Sequence, residues 1–408
     1  MNCRFCNHQL SHQFLDLGHA PPSNSFLTKN QLKKPEIYYP LKLYVCEKCW
    51  LVQVEDHINA SDIFTNNYIY YSSFSRSWLN HAKIYVEMIT QKLSLNEHSF
   101  VIEIASNDGY LLQYFQERNI PCLGIEPTKD TAKKAIEKGI PVIEEFFGEK
   151  LSEQLRNQGK KADLLIANNV LAHVPDINDF VKALKLTLND NGVITIEFPH
   201  LLKLIDENQF DTIYHEHFSY LSFHTVKKIL FLHELEIFEV EELATHGGSL
   251  RIYVKHKDNK KGHVDLSVKD MEQKEINQNM FTKKYYHDFQ KAVDQIKYNL
   301  LLLLIQLKQE GKSVAAYGAA AKGNTILNYC GIKKDLISFV VDASPHKQGK
   351  FLPGSHIPVV SEKLINIHKP DYVIILPWNI KEEIFFQLNY IKSWGGEFIT
   401  LIPKIVFF

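Results

Sequence analysis

The sequence has no surplus of charge, no long apolar run and few cysteines, and each shortage closes off a class of protein. Lysine and arginine number 46 against 47 aspartates and glutamates, a net charge of -1 over 408 residues. That balance excludes a polyelectrolyte tail and gives no argument for nucleic-acid binding, though it leaves local basic patches open. The longest aliphatic stretch, Leu300 to Ile305 extended by Leu307, falls short of the ~20 apolar residues that span a bilayer, so no membrane association is expected. No apolar segment follows a basic start at Met1-Asn2-Cys3-Arg4, and no secretory signal is expected. Six cysteines make no disulfide scaffold at this length, which points to a cytoplasmic protein with reduced thiols. With 18 glycines and 15 prolines, collagen-like and low-complexity readings fail. The phosphate-binding patterns GxGxxG and the Walker lysine motif are also missing.

What is present is a chain that is 45% hydrophobic and long enough for two to four domains. Four of the cysteines form two CxxC pairs, Cys3 with Cys6 and Cys46 with Cys49. Two such knuckles supply four thiolates to one tetrahedral zinc, a site closed to water and therefore structural. A redox dithiol would sit at a helix start after a strand, which neither pair does. His8, His12 and His19 lie nearby but are not needed to complete the shell. Cys122 and Cys330 read as packing residues.

After an aromatic stretch containing Tyr68, Tyr70, Tyr71, Phe74, Trp78 and Tyr85, the pattern turns to α/β. Residues 100–105 form a short buried strand, followed by a Ser-Asn-Asp-Gly turn at 106–109 and a helix start. Strand, polar turn and helix open a nucleotide-binding domain. The next strand ends in Glu126, placed to hold a ribose diol with two hydrogen bonds. Later strands end in Asn168, Asn169 and His173, and in Pro199 and His200. Polar residues thus gather where open sheets bind ligands. The turn offers pyrophosphate few bare amides, which favours a cofactor without phosphate over NAD.

Residues 210–220, Phe-Asp-Thr-Ile-Tyr-His-Glu-His-Phe-Ser-Tyr, hold a dense set of ionisable groups. Tyr214, His215, Glu216 and His217 could supply a base, its orienter and an electrophilic donor. Two histidines at i and i+2 do not have the HExxH spacing of a helical zinc site. A neutral imidazole suits removal of a carbon-bound proton near pH 7 if donors hold the resulting enolate. His246 precedes Gly247 and Gly248, a pair that permits close backbone approach to a ligand. A second α/β unit opens at Lys312, with Gly318, Lys322, Gly323 and Asn324 at its first turn. A strand over 336–341 ends in Asp342, and Lys347 and Lys350 follow it. These cations and turn amides make the second half the better diphosphate site.

The ordered set resembles the sugar C-methyltransferase family over nearly the whole chain. The match rests on the two CxxC pairs, Glu-Ile-Ala-Ser-Asn-Asp-Gly, Asn-Val-Leu-Ala-His-Val-Pro-Asp, Tyr-His-Glu-His-Phe-Ser-Tyr, His-Gly-Gly-Ser-Leu-Arg, Gly-Ala-Ala-Ala-Lys-Gly-Asn-Thr and Asp-Ala-Ser-Pro-His-Lys-Gln-Gly-Lys-Phe-Leu-Pro-Gly. The family often has arginine where this chain has Ala343. The resemblance implies an α/β fold: a class I methyltransferase Rossmann-like domain, a small N-terminal zinc-binding domain and a second C-terminal Rossmann-like domain. It implies a zinc-binding domain over 1–60, a helical linker at the substrate site over 61–98 and the cofactor domain over 99–255. A helical connection over 256–310 and a nucleotide-sugar domain over 311–408 complete the chain. The implied reaction is methylation by S-adenosylmethionine at C3 of a nucleoside-diphosphate 4-keto-6-deoxy sugar, typically a thymidine-diphosphate sugar. Implied cofactor contacts are Glu103, Asn107, Gly109, Glu126, Asn168 and Asn169. The implied catalytic group is Tyr214, Glu216 and His217, with histidine as base and Tyr71 contributing at the substrate site. Substrate-binding candidates are His246, Lys322, Asn324, Lys347 and Lys350. A methyltransferase for another keto compound or another sugar carbon, a dehydrogenase using NAD and a non-catalytic zinc adaptor are the competing expectations. The expected partner is a small-molecule nucleotide sugar, with no nucleic acid or membrane; the sequence does not set the oligomeric state, and a monomer is compatible with it.

Overall fold

The structure, a computed structural model, describes residues 1–58, 71–259 and 263–408. Tyr68 and Tyr70 lie outside the described residues. The chain begins with three antiparallel strands, β1 (His12–Ala20), β2 (Tyr39–Val45) and β3 (Val52–Val54). Alternation sets their inner face: Leu41, Leu43 and Val45 of β2 are buried, with Leu43 opposite Val54 and Val45 opposite Val52. The Cys46–Cys49 turn joins β2 to β3.

Helix Arg76–Leu93 starts where the Ser75 hydroxyl accepts the Trp78 N–H at 3.3 Å. It buries Ala82, Tyr85, Val86 and Ile89 against the sheet that follows, an apolar stripe at helical spacing. Next come β4 (Val101–Ile104), β5 (Cys122–Ile125), β6 (Val142–Ile143), β7 (Ala162–Asn168) and β8 (Leu188–Pro199). They form a parallel array. β4 and β5 are buried at every position, as strands covered on both faces must be. β9 (Ser219–Tyr220) leaves this array and pairs with β3, making the fourth strand of the first sheet. β10 (Leu235–Leu243) and β11 (Ser249–His256) form a hairpin whose second strand lies antiparallel beside β8. The resulting order, β10-β11-β8-β7-β4-β5-β6, is that of the class I methyltransferase sheet implied above.

Helices Leu266–Asn277, Lys283–His287 and Phe289–Gln309 lead to the third sheet. Phe289–Gln309 is no surface strut. Val293, Ile296, Leu300 and Leu304 sit in one apolar cluster that runs from β1 and β2 into the last sheet. That sheet holds β12 (Val314–Tyr317), β13 (Val340–Val341), β14 (Val359–Val360), β15 (Tyr372–Ile375), β16 (Glu397–Thr400) and β17 (Val406–Phe407). Its order is β14-β13-β12-β15-β16-β17, parallel except at β17, a second Rossmann-like unit. The strand expected over 336–341 is shorter than its apolar run. Leu336 and Ile337 close hydrogen-bonded turns on Lys333, so pairing begins only at Val340.

Candidate active site

The carboxyl ends of the second and third sheets open on one cavity of about 970 Å³. Asn107, Glu126, Asn168 and Asn169 line it from the first of these, and Lys322, Lys347 and Asn379 from the other. Tyr214, Glu216, His217 and His246 also line it, so most of the site residues read from the sequence converge. Tyr71, Glu103, Gly109, Asn324 and Lys350 are not among the lining residues.

At the end formed by β4, β5 and β7, Glu126 ties two turns together. One carboxylate oxygen accepts the Asn107 N–H at 2.9 Å. The other accepts the Thr128 N–H at 2.9 Å and the Thr128 hydroxyl. Burial pushes this carboxyl up, and the bonds from Thr128 and Asn107 oppose the shift. Asn168 Oδ1 and both amide atoms of Asn169 are buried without a partner among the described residues. Orphaned polar atoms on a cavity wall fit a ligand that supplies the missing bonds, as a nucleoside would. Glu103 lies beneath the turn, 1% exposed, and burial pushes its carboxyl well up. Gly109 takes φ +75°, and a Cβ there would meet Ile140 Cδ1 at 2.4 Å. Packing against the neighbouring segment therefore accounts for this glycine.

The centre of the cavity is built by the short helical turn Phe210–Thr212 and the loop leading to β9. The Thr212 carbonyl lies 3.0 Å from His217 Nδ1. A carbonyl only accepts, so Nδ1 carries a proton and Nε2 is the basic nitrogen. The Tyr214 hydroxyl lies 3.0 Å from that Nε2 and donates to it when the ring is neutral. Burial drives His217 well below the usual histidine range, with neighbouring His173 adding to the shift. Its ring packs edge-on to His173 at 4.5 Å and tilted on Tyr214 at 4.1 Å. Glu216, 2% exposed, accepts the Asn24 amide at 2.7 Å. His215 turns away and bonds Pro40 O at 3.1 Å.

From the last sheet, Lys322 Nζ donates to Asn379 Oδ1 at 2.6 Å and lies 4.7 Å from the Trp378 ring centre. Lys347 is held by Ala319 O at 2.9 Å and Asp342 at 3.5 Å. Asn324 is 1% exposed and donates to Ser23 O, and Tyr71 stacks on His346 at 5.1 Å. Burial lowers Lys350. His246 takes φ +56°, rare for a residue with a side chain, and its buried Nε2 has no partner. Burial brings His246 down to about 4. The glycine pair beside it answers to packing rather than to a ligand. A Cβ on Gly247 would meet Trp378 at 2.3 Å, and one on Gly248 would meet Lys203 at 2.6 Å.

Sequence reasoning named His173, Trp78 and Asp211 without giving them a site role, and passed over His81. His173 bonds Glu216 O at 2.8 Å through Nδ1, and burial pushes it down to about 4. Its signal was present, since it follows the same strand end that singled out Asn168 and Asn169. His81 bonds buried Glu197 at 2.9 Å and stacks on Trp78 at 4.9 Å. Both line the cavity from helix Arg76–Leu93, and nothing in their spacing separates them from a core stripe.

Away from the cavity, the sulfurs of Cys3, Cys6, Cys46 and Cys49 lie within 4.8 Å of one another. The Cys3–Cys49 and Cys6–Cys46 distances are both 3.5 Å. A tetrahedral zinc with Zn–S bonds of about 2.3 Å needs sulfur–sulfur edges of about 3.8 Å, so the set fits that ion. Gln53 donates to Cys3 Sγ at 3.3 Å, the kind of outer hydrogen bond that orients a ligand.

Comparison with known proteins gives three consecutive family matches. A family described as "Putative zinc binding domain" matches residues 3–64, "Methyltransferase domain" matches 80–240 and "C-methyltransferase C-terminal domain" matches 244–403. The C-methyltransferase NovU of Streptomyces niveus is 30% identical over 402 residues, covering 98% of this chain and 95% of that protein. Among solved structures, an S-adenosylmethionine-dependent methyltransferase from Clostridium acetobutylicum is similar at 13% identity and TM-score 0.36, over 44% of this chain and 92% of its own. The magnesium protoporphyrin IX methyltransferase of Synechocystis is similar at 15% identity and TM-score 0.32, over 43% of this chain and 80% of its own.

Proposed function

The chain belongs to the sugar C-methyltransferase family and is an S-adenosylmethionine-dependent C-methyltransferase; on that premise we propose that its acceptor is C3 of a nucleoside-diphosphate 4-keto-6-deoxy sugar, typically a thymidine-diphosphate sugar. The observation that carries this reading is the His217–Tyr214 pair, fixed by the Thr212 carbonyl inside a cavity that two α/β units share. S-Adenosylmethionine, when bound, supplies a methyl group on a sulfonium centre.

The residues supply the rest. A hydrogen beside a ketone is acidic enough for an enzymatic base, because the electron pair it leaves spreads onto oxygen. His217 is neutral at physiological pH and offers Nε2 once Tyr214 finds another acceptor. The substrate carbonyl is that acceptor. The hydroxyl then holds the oxygen on which charge develops, while Nε2 takes the proton from C3. Glu216 lies beside this pair, and Tyr71 stands outside the lining, on His346. Glu126 is suited to the cofactor's ribose diol, and Asn168 and Asn169 to its adenosine part. The diphosphate suits the half of the cavity that carries Lys347.

Mass spectrometry after incubation with isotopically labelled S-adenosylmethionine and a panel of nucleoside-diphosphate 4-keto sugars tests the reading. One labelled methyl at C3 is expected. Transfer to another carbon, or to no sugar in the panel, would sink it. A second expected outcome concerns the cofactor alone. Each hydrogen bond to a charged group contributes ~1.5–3 kcal/mol, so Glu126→Ala should weaken S-adenosylmethionine binding by at least about ten-fold. Calorimetric titration checks this, and unchanged affinity in a folded variant would remove Glu126 from the site.

A further inference from the structure

We propose that Lys322 is a catalytic residue, its ammonium donating to the enolate oxygen, and that Asp211 positions it by supplying its counter-charge. The inference deepens the enolate reading above and rests on it.

An ammonium carries three donors, and among the described residues Asn379 takes one of them at 2.6 Å. The Trp378 ring bounds Nζ on one side, at 4.7 Å. Lys322 lines the same cavity as Tyr214, His217 and His246. Its charge bears on His217, His246 and Asp211, the titratable groups that face it from the loop, the hairpin and the short helical turn. Asp211 is 1% exposed, and one of its oxygens accepts the Trp378 indole N–H at 2.7 Å. Trp378 thus touches both the lysine and its counter-ion. The next residue is Thr212, whose carbonyl fixes the base. One turn therefore orients the imidazole and balances the lysine.

This placement separates Lys322 from Lys347, which is tied to Ala319 and Asp342 and lies over Phe26. Burial and His173 do most to lower His217, and the cation adds to them; burial lowers Lys322 as well, and Asp211 opposes that shift. The benefit of the cation comes as charge develops. The C3–H bond breaks, the proton goes to His217 Nε2, and the electron pair becomes the C3=C4 bond. The former carbonyl pair then rests on oxygen. The new anion faces imidazolium and ammonium, with Asp211 joined to the lysine through Trp378. Donors already aimed at such an oxygen stabilise it without reorganisation.

The test is uptake of solvent deuterium at C3 of a thymidine-diphosphate 4-keto-6-deoxy sugar, which reads enolate formation apart from methyl transfer. Wild-type protein is expected to exchange. Lys322→Met should slow exchange by roughly 10²–10³-fold, with thymidine-diphosphate affinity changed less than about three-fold. Retained exchange in the variant overturns the proposal and leaves the substrate reading intact. A matching loss of thymidine-diphosphate affinity, with normal exchange at saturation, also overturns it and makes Lys322 a phosphate ligand. No exchange by wild-type protein overturns both readings. Should Lys322→Met not fold, Asp211→Asn decides. Removing the counter-charge makes the ammonium easier to deprotonate, so the alkaline limb of the exchange–pH profile should move to lower pH. An unmoved limb overturns the proposal.

Discussion

Replacing His217 with alanine is expected to lower methyl transfer by about 10²–10⁴-fold, the usual contribution of a positioned general base. The expectation is specific because the ring's two nitrogens have separate duties. Nδ1 is committed to the Thr212 carbonyl, which leaves Nε2 for the proton. Neither His173 nor His215 stands ready to replace it. His173 is held by Glu216 O, and burial keeps it near 4; His215 faces Pro40. The variant should still bind S-adenosylmethionine, since the Glu126, Asn168 and Asn169 wall is built from other strand ends. Loss of turnover with preserved cofactor affinity is therefore the expected pattern. Tyr214→Phe, which removes a donor and leaves the base, should lower turnover less than His217→Ala does. Normal methyl transfer by purified His217→Ala would show that another group removes the proton.

Stripping the four-cysteine site of metal should be as damaging, by a different route. Zinc bound to such sites in small modules contributes about 10–16 kcal/mol, so metal loss unfolds the surrounding turns. Here those turns reach the loop that carries His217 in few steps. The Cys46–Cys49 turn leads directly into β3, and β3 pairs with β9, which begins two residues after His217. The Cys49 carbonyl also accepts the Thr225 hydroxyl at 3.2 Å, beyond the same loop. Metal analysis of protein purified without chelator should find one zinc per chain. Chelation, or Cys49→Ser, should lower both the melting temperature and turnover, the latter by at least about ten-fold. Less than about 0.2 zinc per chain, or full activity after complete metal removal, would contradict a structural zinc.

What could be read from the chain beforehand was what short-range spacing encodes. The CxxC pairs announce a four-thiolate cluster because each pair is closed by one tight turn. Glu126, Asn168 and Asn169 were legible because strand ends in a parallel sheet face the ligand side by geometry. The contacts that escaped notice depend on distant segments meeting. Gly247 and Gly248 looked like ligand-approach glycines, yet Trp378 and Lys203 occupy the space a Cβ would need. The two-residue β9 carries no periodic signal, and its pairing with β3 appears only in three dimensions. Lys322 was legible as a cation at a strand end. That Asp211 and His246 face it was not, because they come from other parts of the chain.

The loop from Phe210 to Tyr220 is fastened on three sides. β9 bonds it to the first sheet, His173 bonds Glu216 O from the second, and Thr325 and Trp378 bond Ile213 O and Asp211 from the third. This sets where the molecule can be cut and recombined. The helices from Leu266 to Gln309 look like a natural seam for exchanging C-terminal halves between relatives. A graft there would replace Thr325, Lys322 and Trp378 while keeping the loop they hold. Recombination that respects the site must carry 210–220 together with the incoming half and match the edge of β3 as well. The cavity of this protein is thus not a cassette; its central loop belongs to a junction that three parts of the chain hold in common.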